Sequence, residues 1–215
     1  MSREIRILRE DDALHDALIR QGWTVVATSW GARLHLDDDA DLAPYRRLVE
    51  RAQEAGYWVG ALGSGEAGQA AGLDRAVAGD YPWTPAPGHQ DPAPEVLARR
   101  MEDEGWLVFG ARCPAGHNGA AQDAAGGGQL VAVTILEPLE QRWEVERTCV
   151  ASAHRRRGLA SAIKAASVLA SFERGARRWG TGGAAVNAGS LAANRALGFE
   201  LEPLWHSLQA PPPQA

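Results

Sequence analysis

The chain has 215 residues, 45% of them hydrophobic, which is enough for one full domain and part of another. Its net charge of −5 argues against a general nucleic-acid binder, and its two cysteines, Cys113 and Cys149, offer neither a disulfide framework nor zinc-ligand spacing. Both cysteines read as buried packing residues. Met1 to Glu10 is charged and lacks the apolar core of a signal peptide, and no apolar run approaches bilayer length, so a soluble cytoplasmic protein is expected. Lys164 is the only lysine; every other positive side chain is arginine.

In chain order, Glu4 to Leu8 alternates as a short strand. Asp11 to Arg20 has helical spacing of Leu14, Leu18 and Ile19, with acids in its first turn and Gly22 as its stop. Trp23 to Trp30 reads as a strand, and Arg33 to Leu36 continues it or pairs with it. The acidic run Asp37, Asp38, Asp39 and Asp41 reads as a solvated turn that caps the amphipathic helix Leu42 to Ala55, rather than as a metal site. Tyr57 to Leu62 is a strand and Glu66 to Gly79 a helix. Asp80 to Ala93 is proline-rich and irregular, and Pro94 to Glu104 is a second helix. Trp106 to Cys113 and Gln129 to Leu136 are strands joined by the Gly/Ala-rich stretch Pro114 to Gly128, expected as a flexible hairpin loop. Trp143 to Val150 is the next strand. In the helix from Gly158 to Glu173, Leu159, Ile163, Ala166, Leu169 and Phe172 form the expected buried stripe, which leaves Lys164 facing solvent. Arg177 to Thr181 is a further strand, and Pro211 to Pro213 mark a frayed tail.

The stretch Val150-Ala151-Ser152-Ala153-His154-Arg155-Arg156-Arg157-Gly158-Leu159-Ala160 joins a strand to a helix through a basic turn. That order presents free backbone N–H groups at a helix N-terminus, where hydrogen bonds and the helix dipole both favour a phosphate. Gly158 allows close approach, and the arginines add forked cationic donors. Neither a Walker loop nor a three-glycine dinucleotide fingerprint fits the spacing. Downstream, Asn187 is followed at seven residues by Asn194 and four later by Gly198-Phe199.

The spacing Arg155-x-x-Gly158-x-Ala160 after a strand ending in Val150 resembles the pyrophosphate loop of the GNAT superfamily of N-acetyltransferases. Asn187, Asn194, Gly198 and Phe199 match the offsets of that family's last helix. The resemblance implies an α/β (α+β) fold with a mixed, mostly antiparallel central sheet flanked by helices, preceded by an N-terminal β-α-β extension. Residues 1–55 are then the extension, 56–209 the acetyltransferase domain and 210–215 a disordered tail. Helix, Gly22-Trp23, strand, Trp30 echoes helix, Gly198-Phe199, strand, Trp205. Residues 1 to about 40 therefore have two readings, a remnant of a preceding GNAT domain or an unrelated extension packed on the main sheet.

The resemblance further implies attack of a free amine on the thioester of acetyl-CoA, a cosubstrate, with no metal. The acceptor is a small-molecule or protein amine; nucleic acid and membrane are not expected partners, and the protein is a monomer or homodimer. Cys149 and Val150 would bond the pantetheine arm. Arg155, Arg156, Arg157, Gly158, Leu159 and Ala160 would hold the pyrophosphate, and Asn187 and Asn194 would contact the cofactor. The base is expected on the strand from Trp143, at Glu146 ahead of Glu144. Alternatively, these carboxylates form a solvated or salt-bridged pair with Arg147 or Arg142. A carboxylate near pKa ~4.3 serves an ammonium near ~10.4 only if its surroundings shift one or both. Asn194 stands where many members carry an acidic tyrosine, and an amide donates a hydrogen bond but no proton. His154 and Tyr81 are the substitutes, although His154 reads as a surface residue of the loop. Tyr81 and Trp83, with His89, would line the acceptor site or pack the loop. A second class remains open, an acyl-CoA-binding regulatory module with little or no catalysis.

Overall fold

The computed structural model describes residues 3–80, 93–113 and 128–212. Tyr81, Trp83, His89, the Gly/Ala-rich stretch 114–127 and the last three residues lie outside these, so the acceptor-loop and tail expectations are not addressed by it. The described residues form β1 (Ile5–Arg9), α1 (Ala13–Arg20), β2 (Thr24–His35), α2 (Ala43–Glu54), β3 (Trp58–Ala61), α3 (Ala67–Ala76) and α4 (Pro94–Asp103). They continue with β4 (Leu107–Arg112), β5 (Leu130–Pro138), β6 (Trp143–Val150), α5 (Leu159–Glu173), β7 (Arg178–Ala184), α6 (Ala188–Arg195), β8 (Glu200–Leu201) and β9 (Trp205–Gln209).

The strands make one sheet in the order β1-β9-β2-β7-β6-β5-β4-β3, with β8 beside β2. All pairs are antiparallel except β6 with β7. That parallel pairing runs only from Trp143–Trp179 to Val145–Thr181; beyond it the two strands part. Of the two readings of residues 23–36, continuation holds: they form a single long strand, β2, which pairs with β7 through Ser29–His35 and with β9 through Thr24–Ser29. The N-terminal segment is thus built into the sheet rather than laid against it.

Alternation along the strands gives the sheet two buried faces. One carries Leu34, Phe109 and Trp179 under α2 and α5, and the other carries Val108, Val133 and Ile135 under α3 and α4. At the β1 end, Leu18, Trp23 and Leu208 form a small separate core, and His15 Nε2 meets His206 Nδ1 at 2.8 Å. The acidic turn behaves as its sequence suggests: Asp41 accepts from the Ala43 N–H at 2.8 Å at the start of α2, while Asp37, Asp38 and Asp39 are exposed.

The α5 stripe is corrected. Its fully buried side chains include Leu159 and Ile163 but also Lys164, Ser167 and Ser171, whereas Ala166, Leu169 and Phe172 are partly buried. Helix α5 packs against four strands, α2 and α6, so nearly its whole circumference is covered and a single apolar stripe does not describe it. Lys164, expected in solvent, is only 3% exposed.

Candidate functional site

The parting of β6 and β7 opens a cleft of about 620 Å³. One wall is Thr148, Cys149 and Val150 of β6, and the opposite wall is Asn187, Gly189 and Ser190 at the start of α6. His154, Arg155, Arg156 and the first turn of α5 from Gly158 to Ser161 close one end, and Lys164 lies further along the same helix. On its β5 side β6 is paired, Cys149 with Val133 and Val150 with Ala132. On its β7 side, among the described residues, no strand pairs with β6 beyond Val145, so that edge is open to a ligand's amides.

The loop before α5 is shaped by two left-handed residues, Arg156 (φ 59°) and Gly158 (φ 77°). Glycine takes this conformation freely, whereas an arginine there is strained and must be held by its surroundings. Those surroundings are visible. Arg155 donates to the Val150 carbonyl at 3.0 Å and pairs with Asp80. Arg157 donates to the Tyr57 hydroxyl at 3.2 Å, and the same hydroxyl meets His154 Nδ1 at 3.1 Å. His154 is therefore a buried anchor, 5% exposed, and not the surface residue that its polar neighbours suggested. Its ring packs edge-on against Tyr57, which fixes the loop to the start of β3.

Gly158 is the N-cap of α5, no side chain caps the first turn, and a Cβ at Gly158 would meet nothing within 4 Å. No side chain takes up the N–H groups at this helix start, which lines the cleft, an arrangement suited to a phosphate. Arg155 and Arg156 line the cleft; Arg157 does not, since it is turned toward Tyr57. Asn187 lines the cleft and also caps α6, accepting from the Ser190 N–H at 3.0 Å. Asn194 is fully buried behind the wall, donating to the Ser190 carbonyl at 3.0 Å and accepting from Lys164 Nζ at 2.6 Å. Burial alone pulls the Lys164 ammonium down to about 7. Apolar periodicity had no means of finding this lysine, because its placement depends on α6 and β6, remote in sequence.

The two strand carboxylates have different surroundings. Glu144 lies across Gly180 of β7, accepts from Arg142 Nε at 2.7 Å and has Arg33 Nη1 at 3.9 Å. Glu146 follows the last residue of β6 that pairs with β7, at a bulge where the β5–β6 register jumps from Ile135–Arg147 to Leu136–Val145. Desolvation first, then the neighbouring Glu137 and Glu144, push its carboxyl above the usual range, with Arg147 opposing. Glu146 is exposed, so solvent screening weakens that upward push, and neither carboxylate is on the cleft wall itself. Arg147 turns away to the buried Asp74 of α3.

A sheet parted beside a helix N-terminus, with no side chain capping the first turn at the end of the gap, is an arrangement suited to an anionic ligand that extends along a strand edge. The sequence model of the Acetyltransferase (GNAT) family matches residues 80–199, more than half of the chain. The protein belongs to that family, whose members are acyltransferases. No curated protein matches the chain.

Solved structures share its fold at low identity. A GCN5-related N-acetyltransferase from Sphaerobacter thermophilus is 14% identical with a TM-score of 0.63, over 96% of this chain and 59% of its own. One from Kribbella flavida is 20% identical with a TM-score of 0.57, over 97% and 68%. A tandem GNAT protein from the clavulanic acid biosynthesis pathway is 18% identical with a TM-score of 0.55, over 99% and 64%. The chain thus spans less than two thirds of the first and third of these proteins.

Proposed function

We propose that this protein transfers an acetyl group from acetyl-CoA to a primary amine, carried by a small molecule or a protein, through direct attack of the amine. The observation that carries this reading is the cleft itself. A phosphate-binding helix start at one end and an open strand edge along one side match the pyrophosphate and the amide-bearing arm of the cosubstrate. Backbone groups from Arg155 to Ala160 would hold the pyrophosphate, with Arg155 and Arg156 adding charge. The β6 edge at Cys149 and Val150 would bond the arm, and Asn187 would contact it from the opposite wall. The bound cosubstrate supplies an activated acetyl group.

The protein's own tasks are positioning and proton transfer. Glu146 is the base in this reading, acting on the ammonium directly or through a water. Its raised carboxyl and its place where the strands diverge both favour it over Glu144, which is tied to Arg142.

Calorimetry of acetyl-CoA against wild type and Gly158→Asp tests the site. The variant places a carboxylate where the pyrophosphate would lie, so the folded variant should show no binding, and unchanged affinity would remove the loop assignment. Release of free thiol over a panel of amines tests the reaction. Binding without release from any amine would favour an acyl-CoA-binding module.

A further inference from the structure

Lys164 is the one lysine among 22 lysines and arginines, and it is among the most buried charged side chains described. An ammonium taken out of water destabilises the fold unless it is paired with an opposite charge. Here the hydrogen-bond partner is a neutral amide, Asn194 Oδ1, at 2.6 Å. Packing alone gives no reason for this arrangement; a methionine of similar length would fill the space. Nor would arginine replace it chemically, because a guanidinium does not release its proton in a protein.

The position is specific. Lys164 lies six residues beyond Gly158, roughly 9 Å along the helix at 1.5 Å per residue. It lines the cleft together with Thr148 and Cys149 of β6 and Asn187 at the start of α6. A cosubstrate anchored by its pyrophosphate at Gly158 and extended along β6 would pass it. Asn194, itself fixed by the Ser190 carbonyl, takes up one of the three Nζ hydrogens of this cleft-lining lysine.

We propose that Lys164, aimed by Asn194, gives the departing coenzyme A sulfur its proton. This rests on the acetyl-CoA reading above. In the step, the amine nitrogen bonds to the acetyl carbon and the carbon–sulfur bond breaks, with its electron pair going to sulfur. A proton passes from Lys164 Nζ to that sulfur. The amine loses its own proton to Glu146 or water, and Lys164 is reprotonated from water, so the protons balance. An ammonium near 7 is a strong enough acid for an alkyl thiolate, whose thiol titrates near ~8.5. Other titratable or charged groups on the cleft wall are Asp80, Cys149, His154, Arg155 and Arg156. Burial is the cause of the Lys164 shift, and no charged group of the packed elements contributes to it.

A single lysine permits a direct test. Protein grown with ¹⁵N-lysine gives one Nζ resonance, to be titrated free, with coenzyme A, and with the coenzyme A analogue lacking sulfur. In parallel, the ultraviolet thiolate absorbance of bound coenzyme A is followed in wild type and Lys164→Met. Charges in contact couple reciprocally, so two shifts of at least about half a pH unit are expected. Nζ should stay protonated to higher pH with coenzyme A than with the sulfur-free analogue. The bound thiolate should appear at lower pH in wild type than in Lys164→Met. If coenzyme A binds by calorimetry and the Nζ titration is the same in both complexes, Lys164 does not touch the sulfur and the proposal is overturned. If coenzyme A does not bind at all, the acetyl-CoA reading falls and takes this one with it. Should Lys164→Met fail to fold, the two wild-type titrations decide alone.

Discussion

Lys164 and Glu146 are the two side chains whose protonation the fold disturbs most informatively, and each yields a measurement. For Lys164 the folded value of about 7 lies below the ordinary 10.5. The unfolded chain therefore holds an extra proton between those values, and wild-type stability rises as pH increases through that window. Below pH 7 the full cost is present, on the order of 5 kcal/mol from the interval between the two values. Lys164→Met removes this cost but leaves Asn194 without its partner, a loss of roughly 1–3 kcal/mol. Thermal unfolding should show the variant melting higher at neutral pH, with the advantage gone or reversed by about pH 10. A pH-independent difference would mean that the ammonium is not buried as described. For Glu146 the readout is kinetic. Glu146→Gln should lower kcat/KM by roughly 10²–10⁴ while leaving cofactor affinity unchanged, and the deficit should shrink with rising pH as more amine is already neutral. Glu144→Gln, which unties Arg142 and removes one of the charges that raise the Glu146 carboxyl, should show less. Wild-type rates in Glu146→Gln at every pH would place the base elsewhere.

Among the elements, the helix ends share one device. At Gly22 and Gly198, both at φ 84°, the following aromatic N–H reaches back five residues, Trp23 to Leu18 and Phe199 to Asn194, at 3.1 Å each. This is the glycine-closed helix end. Yet α2 closes in the same way through Gly56 and Tyr57, and α5 through Gly175 and Ala176. The helix–Gly–aromatic–strand echo in the sequence is therefore a common means of turning a helix into a strand, and by itself marks no duplication. The device makes a prediction at Gly198, where a Cβ would meet only ordinary contacts with Leu34 and Tyr45. Gly198→Ala should cost about 1 kcal/mol from the left-handed backbone alone. Gly65→Ala, with neither a positive φ nor a near neighbour, should be close to neutral. Equal chemical denaturation midpoints for the two variants would contradict this.

At the scale of the molecule, the sheet runs without interruption through the segment that sequence alone set apart as residues 1–55. β2 joins β7 to β9, and Trp30, Ala32 and Leu34 sit in the main core. Deleting residues 1–40 would leave β7 without its outer neighbour and β9 without either partner, exposing backbone groups and apolar surface together. The truncated chain should be insoluble or lack a cooperative melt. A truncated protein as stable and active as the full chain would show that the segment is dispensable. Across the described residues no helix is long and apolar enough to cross a membrane.

Sequence by itself determined the parts of this protein that rest on local physics. Strand and helix positions followed from periodicity and glycine stops, and most boundaries agree within a few residues. The strand–basic turn–helix order at Val150 to Ala160 located the cleft, because a helix start exposes its N–H groups whatever the fold around it. Tertiary structure decided what depends on neighbours far along the chain. It put β2 between β7 and β9, since strand pairing is not encoded within a strand. It buried His154 against Tyr57, 97 residues away, and turned Arg157 to the same hydroxyl. It set Lys164 beside Asn194 at the wall of the cleft, where a hydrophobic pattern had left it in water, because enclosure of α5 on several sides makes burial independent of the helix's own apolar stripe.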